Sequence, residues 1–190
     1  VDSADLSLNI SREMLQHDHQ LKVIAKAIDK KITKELENML KKDRETYEKF
    51  FSTFGVQLKF GCYDEFGVHK EELKDLLLFY SSTEKKPVTL KEYRDRMPEE
   101  QEKIYYACGS TVEKIDMLPQ TDAAKAKGYE ILYCTDNIDE FVLQILLEYE
   151  GKRFVNVSAD DAGLVSEEEK EAVKTENEAA KDLLDYMKDV

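Results

Sequence analysis

The sequence predicts an α/β chain, α+β overall. A three-helix coil comes first, then a small unit built on a short, mostly parallel sheet, then an acidic helical tail. Leu21, Ile24, Ile28, Ile32, Leu36 and Met39 recur every three or four residues, which is the apolar stripe of a long amphipathic helix. Further on, the runs Ile104 to Cys108, Tyr129 to Cys134 and Phe154 to Val157 alternate with helical patterns. Strand, helix, strand, helix, strand reads as a parallel sheet with helical crossovers. From Asp160 onward, 11 acids accompany 4 lysines and few apolar residues, the composition of a solvated helix or linker.

Residues 1–18 are polar and without sustained period, and read as a loop. Asp18 is placed to cap the first long helix. Asp43 opens a second helical stretch with Tyr47, Phe50, Phe51 and Phe54 on its apolar side, and Gly61 and Gly67 bracket its end. A third, short helix is expected from His69 to Leu78, and residues 79–88 (FYSSTEKKPV) read as a polar loop. Thr89 with Glu92 spells a capping box, for a helix that must stop near Pro98. Ser110 with Glu113 spells another, for a helix to about Met117, and Pro119 and Gly128 bracket the next one. Asp136 or Asn137 is expected to cap a helix from Ile138 to Leu147. The expected boundaries are 1–18, 19–85, 86–158 and 159–190.

Composition excludes several function classes. Apolar residues are 42% and charged residues 36% of the 190, as in a soluble globular chain long enough for a sizeable core. The formal net charge of −13 repels a phosphate backbone, so no nucleic-acid partner is expected. No apolar run approaches the roughly 20 residues of a membrane span, so no membrane association is expected, and no secretory leader is read. Beginning at Val1, the chain reads as a mature product or an excised piece. Cys62, Cys108 and Cys134 lie far apart and read as reduced, structural thiols rather than a disulfide frame or a zinc site, which suits the cytoplasm.

Familiar catalytic patterns are absent: no G-x-x-x-x-G-K-[ST], no G-x-G-x-x-G, no G-x-S-x-G. His17, Asp18 and His19 are too close in sequence to share a helix face, so no metal is expected there. His69 stands alone and reads as exposed. Arg12 and Gln16, four residues apart before the long helix, are the constellation with chemical content. A guanidinium fork suits a phosphate, and an amide can donate beside it. The residues alone equally allow Arg12 to pair with Asp5 or Glu13.

VDSADLSLNISREMLQ resembles the catalytic loop in the middle domain of the ninety-kilodalton heat-shock protein chaperones, in their bacterial form. The likeness continues through DLLLFYSSTEKKPVTLKEYRDRM, EEQEKIYYACG, KGYEILYCTDNIDEFVL and YEGKRFVNVS, to about residue 158. Ser7 departs from the family's usual Pro, which loosens the loop but removes no chemical group. The resemblance implies the second part of the middle domain, as a helical coil followed by a small α/β/α sandwich, with the start of the link to the C-terminal domain. It makes residues 1–18 the catalytic-loop end of an upstream α/β subdomain. It implies an ATP-dependent chaperone that assists folding under stress. Arg12 then matches the arginine reaching the ATP γ-phosphate in trans, and Gln16 its supporting glutamine. ATP and Mg²⁺ would be held by the N-terminal domain outside this chain, so this piece alone is expected not to hydrolyse ATP. The implied partners are unfolded or partly folded clients, its own N-terminal domain, and a second copy through the C-terminal domain. A non-enzymatic scaffold that binds proteins through its helices is the alternative. A thioredoxin-like domain is disfavoured because there is no C-x-x-C.

The segment IDEFVLQILL needs one apolar stripe to lie on a sheet, and Ile138, Val142, Ile145 and Tyr149 supply it. Phe141 and Leu143 fall off that stripe, beside Glu140 and Gln144. Glu140, Phe141 and Gln144 are therefore the candidate client contacts. The competing expectation is that Phe141 is core.

Overall fold

The computed structural model describes residues 19–159 and 162–164. Among them are seven α-helices and six strands. Helix α1 (His19–Lys42) and helix α2 (Arg44–Gly67) meet at Asp43. Asp43 caps α2 as its pattern predicts: its side chain accepts the Thr46 N–H at 3.2 Å. Lys41 and Lys42 sit in the last turn of α1, where positive charge suits the helix dipole.

The predicted stripe on α1 is covered only towards its end. Leu36 is buried with Tyr47, Leu76 and Leu78, and Met39 and Leu40 pack against them. Val23, Ile28 and Ile32 stay exposed. The buried Tyr47 hydroxyl donates to the Leu76 carbonyl at 2.5 Å, which ties α2 to the chain entering the sheet. Helix α2 leaves helical dihedrals at Asp64, Glu65 and Phe66. Gly67 then turns at φ +82, where an added Cβ would meet the Ile145 side chain at 2.7 Å, so this position requires glycine. Gly61, by contrast, lies within the helix and ends nothing. The expected third helix is shorter than read: α3 (Lys70–Leu73) and a single 3₁₀ turn, Lys74–Leu76.

Residues 79–88 are not a loop. Strands β1 (Leu78–Ser81) and β2 (Pro87–Thr89) form an antiparallel hairpin, and the boundary expected between 85 and 86 falls inside it. Their polar look hides buried partners. Ser81 Oγ donates to Glu130 Oε1 at 2.6 Å, and the Ile131 N–H donates to Ser82 Oγ at 2.8 Å. The Thr89–Glu92 capping box is formed as read and starts α4 (Leu90–Arg96). Strand β3 (Lys103–Cys108) follows. Next, α5 (Val112–Asp116) is capped by Thr111, which accepts from the Lys114 N–H; the cap expected at Ser110 is one residue early. Helix α6 (Pro119–Ala126), β4 (Ile131–Cys134), α7 (Asp139–Leu146), β5 (Glu148–Tyr149) and β6 (Lys152–Asn156) complete the order.

The sheet runs β2-β1-β4-β3-β6-β5. Its centre, β4-β3-β6, is parallel as predicted. Its flanks are antiparallel, through β1 on β4 and β5 on β6, so the sheet is mixed. Alternation along the strands gives two cores. Ile104, Tyr106, Leu132 and Cys134 face Leu90, Tyr93, Val142, Leu143 and Cys62, from α4, α7 and α2. Tyr105, Ala107, Ile131 and Tyr133 face Ile115 and Ala124, from α5 and α6. Together these layers make an α/β/α sandwich. The buried Tyr93 hydroxyl bonds three ways: it donates to the Glu130 carbonyl and accepts from Gln101 Nε2 and the Tyr105 N–H.

Asp116, at the end of α5, gathers the outer edge. It accepts the Tyr133 hydroxyl and lies 2.9 Å from Lys125 and 3.4 Å from Lys85. The Tyr133 hydrogen bond, then Lys125, holds its carboxyl down at about 2. A lowered folded-state pKa means a contribution that is present above the ordinary value of 3.8 and lost as pH falls towards 2. In urea titrations, Asp116→Asn should therefore lose less stability than the native chain between pH of about 4 and about 2. Parallel acid profiles for the two would contradict this.

Candidate functional site

Helix α7 is the element on which sequence-predicted residues can be placed, and its position is set by charge. Lys59 of α2 is only 4% exposed. Its Nζ lies 2.5 Å from Asp139 Oδ1 and 2.8 Å from Asp136 Oδ2. The rings of Phe79 and Phe51 stand 5.1 and 5.6 Å from the same nitrogen, a cation–π setting. Asp139 Oδ2 also accepts the Asp136 N–H at 3.0 Å. The entry to α7 is thus organised by Asp139, not by a cap from Asp136 or Asn137. At the other end, Lys70 Nζ donates to the Ile145 carbonyl at 3.1 Å, satisfying an orphan carbonyl of the last turn.

Two carboxylates share one ammonium, and burial opposes the charge on both Lys59 and Asp139. Burial works to lower the Lys59 pKa, but Asp139 and Asp136 outweigh it and the net direction is up. Asp139 is raised, first by burial, against the pull of Lys59. Lys59 stays charged, and Asp139 takes up a proton more readily than an ordinary aspartate.

Of the candidate client contacts, Phe141 is 52% exposed. Gln144 is exposed and Glu140 half-buried. Leu143 does not belong with them: it is 1% exposed and packs in the inner core with Val142 and Leu146. The apolar stripe is wider than one row because α7 packs against both the sheet and α2. Phe141 meets Tyr63 of α2 edge-on, with ring centroids 6.0 Å apart, and Tyr63 lies 6.5 Å from Phe60. Phe60 and Tyr63 are themselves exposed. The sequence reading missed both, although α2 carries more aromatic residues than one stripe can bury.

Arg12 and Gln16 lie outside the described residues, as do Asp18 and most of the acidic tail. His69 is exposed as read, 3.5 Å from Glu72. It borders a cleft of about 200 Å³ between α1, α2 and α3, also lined by Ile32, Leu36, Leu58 and Leu73. Among the described residues no group of three or more His, Cys, Asp or Glu side chains could hold a metal, and no helix is long and apolar enough to cross a membrane. All three cysteines are free thiols; Cys62 and Cys134 are buried and Cys108 half-buried.

The family model described as Hsp90 protein matches residues 1–190. The chain belongs to the Hsp90 family. Relatives named Chaperone protein HtpG share 57% identity over 190 residues in Bacillus subtilis and 59% over 190 residues in Clostridium acetobutylicum. Each match covers 100% of this chain and 30% of the relative, so the chain spans about a third of the length of the curated relatives it matches. Among solved structures, the middle domain of a Plasmodium falciparum heat shock protein is similar, with a TM-score of 0.69 and 30% identity. That match covers 75% of this chain and 58% of the other. The family and the mixed α/β architecture read from the sequence both stand. In Hsp90 terms, the described residues are middle-domain-like, and the candidate phosphate-contacting residues precede α1 in the chain.

Lys59 is the residue whose loss tests how α7 is held. Lys59→Met leaves Asp139 as an unpaired buried carboxylate, at a cost of about 3–5 kcal/mol. In chemical denaturation, adding Asp139→Asn to that variant should restore part of the loss. The single variant's deficit should also shrink as pH falls into the carboxylate range, because Asp139 then takes up a proton. A deficit below about 1 kcal/mol would mean that the pair behaves like an exposed one.

Proposed function

We propose that this chain is the part of an ATP-dependent chaperone that carries an arginine to the γ-phosphate of ATP bound in another domain, and that it also touches client proteins. The observation that carries the reading is the match of the whole chain to HtpG relatives, at 57% and 59% identity, with Arg12 and Gln16 standing in the sequence NISREMLQ. The likeness to an Hsp90 middle domain supports it.

The chemistry is phosphoryl transfer, in which negative charge gathers on the γ-phosphoryl oxygens and positioned positive charge stabilises it. Arg12 supplies that charge as a fixed guanidinium fork, and Gln16 donates beside it. The chain carries no phosphate-cradling glycine motif of its own, so the nucleotide and its Mg²⁺ belong to the N-terminal domain. Arg12 then acts only when the two domains dock, and hydrolysis is coupled to the closed arrangement. A second copy joins through the C-terminal domain, and the assembly works in the cytoplasm.

Client contact is assigned to Glu140, Phe141 and Gln144 on α7. Half-exposed Phe141, edge-on to Tyr63, supports this reading. It offers apolar surface beside polar groups, suited to weak, adaptable contacts with partly folded chains.

In the full-length protein, Arg12→Ala should lower ATP turnover on the order of 10² while nucleotide affinity hardly changes, with a smaller loss for Gln16→Ala. Unchanged turnover would return Arg12 to an ion pair with Asp5 or Glu13 and favour the scaffold reading. Phe141→Gln should weaken suppression of client aggregation with little change in melting temperature. A stability loss of roughly 3–5 kcal/mol would instead make Phe141 a core residue and remove the client assignment.

A further inference from the structure

Two thiols lie side by side at the ends of the two central strands, β3 and β4. In the parallel pairing of β3 with β4, Cys108 is the register partner of Cys134. Register partners on parallel strands point to the same face, and neighbouring strands lie roughly 4.8 Å apart. That spacing falls within the Cα separation of about 4.4–6.8 Å that a disulfide spans. The Gly109 N–H donates to the Cys134 carbonyl at 3.1 Å, so the register is held up to the strand ends. The two thiols differ in accessibility: Cys108, the last residue of β3, is half-buried, whereas Cys134 is buried in the inner core.

We propose that Cys108 and Cys134 are a reversible thiol–disulfide modification site whose oxidant is a hydroperoxide. The Cys108 sulfur, as thiolate, attacks one peroxide oxygen. An S–O bond forms, the O–O bond breaks, and the departing alkoxide or hydroxide takes up from solvent the equivalent of the proton that Cys108 released on becoming a thiolate, leaving as alcohol or water. The Cys134 sulfur then attacks the Cys108 sulfur. The S–S bond forms, the S–O bond breaks, and hydroxide leaves with the Cys134 proton as water. Two thiols are oxidised and one hydroperoxide is reduced. A dithiol reductant reverses the reaction.

The asymmetry of the pair suits this order of events. Cys108 meets the oxidant, and Cys134, shielded from it, stands on the neighbouring strand in register with the sulfur it must attack. Cys62 lies on α2 and has no such register partner.

Hydrogen peroxide on the 190-residue chain tests the inference, followed by alkylation under denaturing conditions and peptide mass mapping. Tryptic peptides 104–114 and 128–152 carry the two cysteines separately. The expected product is an intramolecular cross-link between them, with alkylatable thiols falling from three to one and returning to three with dithiothreitol. Cys62→Ala should leave the cross-link unchanged. Cys134→Ala should convert Cys108 to sulfenic or sulfinic acid, and Cys108→Ala should leave Cys134 unoxidised over the same period. If either of these two variants fails to fold, the native chain's map decides alone. Three free thiols after treatment, a cross-link through Cys62, a linkage only between molecules, or sulfinic acid at Cys108 beside a free Cys134 would each overturn the proposal.

Discussion

The structure depends on one buried ammonium. Lys59 reaches from the middle of α2 to Asp136 and Asp139 at the mouth of α7, with Phe51 and Phe79 against its charge. An apolar residue there could pack α2 against α7, but it would not fix where along the two helices they meet. An ion pair with two carboxylates and two rings has one good geometry, so it sets the axial position as well as the contact. The helical coil and the sheet then behave as one packed body, joined by a directional bond rather than by apolar contact alone.

Other features follow from that seat. With α7 held at its entry by Lys59 and at its end by Lys70, Val142, Leu143 and Leu146 face the inner core, and Phe141 is left on the outer side beside Tyr63. The same seat brings the end of α2 close enough that Gly67 has no room for a side chain against Ile145. The exposed aromatic strip of Phe60, Tyr63 and Phe141 is therefore a product of the seam between the two helices. Neither helix would create it alone.

What the sequence revealed depended on the range of the interaction. Caps at Asp43 and at Thr89 with Glu92 act within one helical turn, and were legible from spacing. The central parallel strands were legible as compact apolar runs. The β1–β2 hairpin was not, because Ser81 and Ser82 are buried by satisfying distant polar groups, which composition cannot distinguish from a wet loop. Thr111 displaced Ser110 as a cap because adjacent hydroxyl residues spell the same signal. The Lys59–Asp136 contact spans 77 positions, beyond any local pattern. For Arg12 and Gln16 the reverse holds: spacing alone left their role open, and only resemblance to a family assigned one.

Helix α1 is 24 residues long, about 36 Å at the usual rise, yet among the described residues its stripe is fully buried only at Leu36, with Met39 and Leu40 packed beside it. Among the described residues it is thus a stiff arm rooted near one end. A tilt of about 5° at the root displaces the His19 end by about 2 Å. Two ångströms separates a hydrogen bond made from one lost. A small angular change in the packed body is thereby amplified into an all-or-none change of contact at the far end of the arm.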